Sequence, residues 1–86
     1  MAYKIIENLE QLKQLAGGES PVECFVWVGS FFRSSKRILY NANGGAETWW
    51  IENEIDNSEE NFSTDEDMLS KSGIGVAIEK GCLYQY

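Results

Sequence analysis

The run VECFVWV, residues 22 to 28, constrains the fold of this chain more than any other stretch. It is rich in β-branched and aromatic side chains and has the length of a central β-strand. Alternation places Val22, Cys24, Val26 and Val28 on one face and Phe25 and Trp27 on the other. With apolar groups on both faces, the strand needs a helix over one side and at least partial shielding over the second.

The neighbouring segments supply both. Tyr3 to Ile6 reads as a short extended segment. Asn8, with Gln11 three residues later, has the spacing of a capping box. Leu9, Leu12, Leu15 and Ala16 then recur at helical intervals until Gly17-Gly18 ends the helix. Pro21 closes the connecting loop ahead of the central strand. The segment FFRSSKR is expected to reverse the chain and RILYN to begin a second strand. Asn43-Gly44-Gly45 is the strongest turn signal, because these residues reach left-handed conformations cheaply. A third strand is expected from Glu47 to about Asp56, with Trp49, Ile51 and Ile55 on its core face and Trp50, Glu52, Glu54 and Asp56 on its outer face.

After a polar loop, DNSEEN, the segment FSTDEDMLSKS opens a short helix. Ser63 or Thr64 serves as its cap, and Asp65, Glu66 and Asp67 lie in the first turn, where the helix dipole favours negative charge. GIGVAIEKG forms a second helical turn, and CLYQY closes the chain as an edge strand. The expected fold is α+β: a small antiparallel sheet, made of a three-stranded meander plus a C-terminal strand, with an N-terminal helix and one or two short C-terminal helices on one face. Residues 1–86 are expected to form a single domain, since a chain of this length buries only about 60 to 65% of its unfolded surface.

Composition narrows the function. The net charge is −7, from 14 Asp plus Glu against 7 Lys plus Arg, and histidine is absent. Without histidine the chain lacks the usual general base near neutral pH and the commonest zinc ligand. The acidic balance argues against direct contact with nucleic acid or an anionic membrane, and favours a basic protein surface as partner. No apolar run approaches membrane-spanning length, and MAYKIIENLEQ lacks the basic and apolar regions of a signal peptide, so a cytoplasmic location is expected. Cys24 and Cys82 read as two buried thiols rather than a disulfide or a metal pair.

The run TWWIENEIDNSEENFSTDEDM, residues 48 to 68, carries eight carboxylates and no Lys or Arg. In one continuous strand, Glu52, Glu54 and Asp56 would stand in a row about 6.6 to 6.8 Å apart. That row resembles one edge of a nucleic-acid backbone. A solvated face with acids capping a helix would also produce such a run. Self-repulsion in a row without interleaved cations favours a binding role. The candidate partner-binding residues are therefore Trp50, Glu52, Glu54, Asp56, Glu59, Glu60, Asp65, Glu66 and Asp67. Trp50 acts as an anchor, and Phe25 and Trp27 form an aromatic patch if they share its face. Arg33, Lys36 and Arg37 flank Ser34-Ser35 as the one gathering of cations, either a hairpin tip or a weak phosphate contact. The serines have no base to activate them. The acid run lacks the glycine and ligand spacing of a calcium loop, and no glycine-rich phosphate loop is present. No catalytic residue, cofactor or metal is expected.

The segments YKIIENLEQLKQLAGG, RSSKRILY, TWWIENEIDNSEENFSTDEDML and IGVAIEKGCLYQY together resemble the small acidic proteins carried by bacterial phages and plasmids, of the anti-CRISPR and anti-restriction type. The resemblance implies a non-enzymatic inhibitor that occupies the basic groove of a nucleic-acid-handling defence complex in a bacterial host cell. An antitoxin or immunity-type protein that neutralises a basic toxic enzyme is the alternative binder. A phage accessory protein that self-associates through its strand edge and aromatic face is a third reading.

Overall fold

A computed structural model describes residues 3–29 and 32–86, with residues 32 and 43 described in their backbone alone. The elements run β1 (Lys4–Ile5), α1 (Leu9–Ala16), β2 (Val22–Val28), β3 (Phe32–Asn43), β4 (Ala46–Asn53), β5 (Ser58–Phe62), α2 (Asp65–Ser72), α3 (Ile74–Lys80) and β6 (Leu83–Gln85). The strands form one antiparallel sheet in the order β1-β6-β2-β3-β4-β5.

Local chemistry sets the helix ends. The Asn8 side chain accepts a hydrogen bond from the Gln11 backbone N–H at 2.8 Å, and Gln11 Oε1 accepts one from the Glu7 N–H at 2.9 Å. Two donors at the start of α1 that have no intrahelical partner are thereby satisfied. Thr64 caps α2 in the same way, accepting from the Asp67 N–H at 3.1 Å. Gly44 and Gly45 both have positive φ, 61° and 83°, and join β3 to β4 as the tight turn expected from Asn43-Gly44-Gly45. Mirror-image turns of this kind match the twist of a hairpin.

The α+β class agrees with the sequence reading, but the expected three-stranded meander with a C-terminal edge strand does not. Among the described residues the sheet has six strands. FFRSSKR is not a turn: residue 31 lies outside the described residues, and residues 32 to 37 belong to β3, paired with β2 from Val28↔Phe32 to Val22↔Ile38. The chain reverses between the paired Val28 and Phe32, and Gly29 there has a φ of 71°. The third strand ends at Asn53, so Glu54, Ile55 and Asp56 lie in a turn, and SEEN of the expected loop joins Phe62 of the expected helix segment in β5. Ile55 is accordingly 67% exposed rather than in the core. β6 is not an edge strand, because it lies between β1 and β2. Val28, at the end of β2, is exposed as well.

All three helices pack on one face of the sheet. Leu12 and Ala16 of α1, Met68 of α2, and Ile74 and Ala77 of α3 meet Val22, Cys24, Ile38, Trp49, Ile51 and Leu83 from the strands in one buried cluster. Each fully buried aliphatic side chain there contributes roughly 1.5 to 3 kcal/mol. Trp49 is fully buried, and its indole N–H donates to Asp65 Oδ1 at 2.9 Å. Asp65 also binds Lys13 Nζ at 2.7 Å, which ties α1, β4 and α2 together. No helix among the described residues is long and apolar enough to cross a membrane.

Candidate functional site

Among the described residues no helix covers the second face of the sheet, and strand pairing decides which side chains it presents. Cα partners in neighbouring strands share a face. One row therefore runs Glu23, Arg37, Glu52, Glu59 across β2, β3, β4 and β5. On one side of it come Tyr84, Phe25 and Ser35, and beyond them Trp27 and Arg33. On the other side lie Leu39, Trp50 and Asn61. The face thus has an ionic band between an aromatic end and a smaller patch around Trp50.

Arg37 is the hub of the band. Its guanidinium lies 3.4 Å from Glu23, 3.7 Å from Glu52 and 3.5 Å from Glu54. Glu54 is held near this face, although it lies outside the strand, by the bond from its backbone N–H to the Ser35 carbonyl at 3.0 Å. Glu59 stands directly opposite Glu52 and accepts from the Trp50 indole N–H at 2.7 Å. One guanidinium among four carboxylates leaves the band with surplus negative charge. The ion pairs themselves are long and half-exposed, each worth about 0 to 1 kcal/mol.

At the aromatic end Phe25 is fully buried, beneath Tyr3, Trp27, Tyr84 and Tyr86 rather than beneath a helix. The Arg33 guanidinium lies 5.1 Å from the Phe25 ring centre and 5.6 Å from that of Tyr86. Tyr86 and Ser35 share a hydroxyl hydrogen bond of 2.6 Å. Trp27 and Tyr86 remain 40% and 45% exposed, so the cluster forms a second small core that still presents rings outward.

The residues singled out in the acid run divide between the two sides of the protein. Trp50, Glu52, Glu54 and Glu59 belong to the open face. The straight row of Glu52, Glu54 and Asp56 does not form, because the strand stops before Glu54. Asp56 instead accepts from the Ser58 N–H at 3.0 Å, and hydrogen bonds from Ser58 hold its carboxyl below the usual range. Glu60 lies opposite Ile51 and so belongs to the helix-side face. Asp65, Glu66 and Asp67 form the first turn of α2. At Asp65 burial is the strongest influence and opposes ionisation, but hydrogen bonds from Lys13 and Trp49 outweigh it and the carboxyl sits low.

Phe25 and Trp27 do share a face with Trp50, separated from it by the ionic row. Glu23, Tyr3, Tyr84 and Tyr86 escaped the sequence reading. Tyr84 and Tyr86 are two residues apart and so share a strand face, but only the insertion of β6 beside β2 shows which one. Of the basic trio, Arg33 and Arg37 face outward among aromatics and acids, whereas Lys36 belongs to the other face, where its ammonium bonds to Asn53 Oδ1.

An open groove of about 600 Å³ beside Pro21 is bordered by Leu15, Glu23, Arg37 and Tyr86. Its carboxylate, Glu23, is the one paired with Arg37. Among the described residues no group of three His, Cys, Asp or Glu side chains could hold a metal ion. Cys24 and Cys82 are free thiols, and burial pushes the Cys24 thiol up to about 12. Comparison with protein-family models, curated proteins and solved structures finds no match to the chain.

Proposed function

We propose that this protein is a non-catalytic binding protein whose open sheet face docks on a basic protein surface and blocks it. The observation that carries this reading is the charge of that face. Glu23, Glu52 and Glu54 surround the Arg37 guanidinium, Glu59 stands opposite Glu52, and these four carboxylates outnumber Arg33 and Arg37 on a face that also presents the exposed Trp27 and Tyr86 rings. Fixed like charges on a pleated surface raise the on-rate towards a Lys- and Arg-lined groove, and aromatic rings at the margin supply the apolar contact on which affinity depends. The proposed target is the nucleic-acid groove of a defence complex inside a bacterial host cell. There the acidic face takes the place of phosphates, and no turnover is involved.

The test uses bacteria that carry a CRISPR or a restriction system, challenged with phage while expressing either the wild-type protein or the E52Q/E54Q/E59Q variant. The companion measurement is displacement of nucleic acid from the purified defence complex at several salt concentrations. The wild type is expected to restore infection and displace nucleic acid. The variant, with its fold intact by circular dichroism, should do so at least tenfold less well and with a flatter salt dependence. Equal potency of the two proteins would refute docking through this face, and no restoration in any system would refute the defence complex as target.

A further inference from the structure

β5 closes the sheet on the side of the acid run, and among the described residues its five residues pair with β4 alone. The backbone groups turned away from β4 form a template on which another extended chain can be laid. β5 contains no proline, glycine or lysine to blunt that edge. The opposite edge, β1, is only two residues long and offers no comparable template.

The charges on β5 select what can be added. Glu59 and Glu60 are adjacent, so their side chains leave the strand on opposite faces. A second copy pairing antiparallel about the strand centre would set Glu60 against its own counterpart. A parallel copy in register would do so for both residues. Carboxylates directly opposite one another at about 4.5 to 5.5 Å between Cα atoms repel. In both of these registers the edge repels its own copy. A strand bearing cations meets the reverse situation on both faces. On the open face the row Glu23, Arg37, Glu52, Glu59 reads negative, positive, negative, negative, and the next position outward is a place for a cation. On the helix side Glu60 has Ile51 as its neighbour in β4 and makes no ion pair among the described residues.

We infer that the β5 edge binds an extended segment of the basic partner by strand addition, with Lys or Arg side chains at the two consecutive positions facing Glu59 and Glu60. The inference rests on the docking reading above and specifies how the partner engages. Main-chain bonds would supply affinity, and the two carboxylates would select a basic strand over a neutral or acidic one.

The experiment titrates the wild-type protein with the peptide Thr-Val-Lys-Arg-Val-Thr and with two N-methylated forms that carry methyl groups on alternate sets of amides. Amide hydrogen exchange across Ser58–Phe62 is followed in parallel. Strand addition predicts that one methylated form binds like the parent and the other at least tenfold more weakly. It also predicts that alternate β5 amides exchange at least tenfold more slowly in the complex. Equal binding by the two methylated forms, or unchanged β5 exchange, would overturn strand addition. If that equal binding still falls with salt and in the E59Q/E60Q variant, acidic docking stands without it. Absence of binding by all three peptides would overturn the inference, leaving the docking reading to be decided by the nucleic-acid displacement measurement.

Discussion

Replacing Asp65 separates structural from recognition carboxylates. Asp65 accepts the indole N–H of the fully buried Trp49 at 2.9 Å and binds Lys13 Nζ at 2.7 Å, with the two charged side chains 28% and 20% exposed. Asp65→Ala leaves the buried indole N–H without an acceptor, at a cost of roughly 1 to 3 kcal/mol. It also removes a partly screened ion pair worth about 1 kcal/mol. The lost interaction with the α2 dipole adds roughly 0.3 to 1 kcal/mol. The expected total is roughly 2 to 5 kcal/mol, a large share of the 5 to 15 kcal/mol or so typical of a domain. Asp65→Asn keeps an oxygen for Trp49 and should cost about 1 to 2 kcal/mol, the ion-pair and dipole contributions of the charge.

Urea unfolding monitored by tryptophan fluorescence, repeated across pH, is the assay. Because the carboxyl is held low in the folded protein, its contribution is present above the unfolded value of about 3.9 and lost as pH falls through the folded value. The gap between wild type and Asp65→Asn should therefore be open at neutral pH and close in strong acid. The Lys13 ammonium is raised chiefly by its hydrogen bond to Asp65, so its own contribution holds below about 10.4 and is lost only as pH rises through the folded value. A gap that stays constant into strong acid, or an Asp65→Ala cost no larger than that of Asp65→Asn, would refute this account. Neither substitution should weaken partner binding beyond the loss of folded protein.

Three further outcomes are expected. Arg37→Gln should lower stability by at most about 1 kcal/mol at low salt, and the difference from wild type should shrink at high salt as repulsion among Glu23, Glu52 and Glu54 is screened; a salt-independent difference would show that packing dominates. Gly44→Ala should cost about 1 to 2 kcal/mol in urea unfolding because φ is positive there, whereas Gly44→Asn should be better tolerated. Cys24 should resist alkylation at mildly alkaline pH until the protein is unfolded, because burial suppresses its thiolate, and peptide mapping by mass spectrometry would expose any native-state labelling that contradicts this.

The features legible from sequence are those whose causes are local. Asn8, and either Ser63 or Thr64, read as caps because a side-chain oxygen there reaches N–H groups only two or three residues ahead, and Asn8 and Thr64 do so. Gly44 and Gly45 read as a turn because left-handed backbone is cheap for glycine. The apolar stripe of α1 and the alternation of VECFVWV follow from helical and strand periods, and residues from each enter the buried core. The same locality explains the misreadings. Arg33, Ser34, Ser35, Lys36 and Arg37 have the composition of a turn, yet all five pair with β2, Lys36 and Arg37 pair with β4 as well, and that pairing overrides local preference. SEENF has the composition of a loop, and its strand character comes from pairing with β4 and from Phe62 lying opposite Trp49.

The sequence by itself determined the cap of α1, the β3–β4 turn, the inward faces of Trp49 and Ile51, and the excess of negative charge. Tertiary structure decided that Arg37 sits among acids drawn from β2, β4 and the following turn, that Asp65 serves the core, and that Tyr84 and Tyr86 join Phe25. The physical reason lies in what strand pairing is made of. Hydrogen bonds between backbones are nearly blind to residue identity, so neighbours and register are settled by which rows of apolar side chains can be brought under the helices together. The charged and aromatic residues on the other side of each strand take the positions that this packing leaves them.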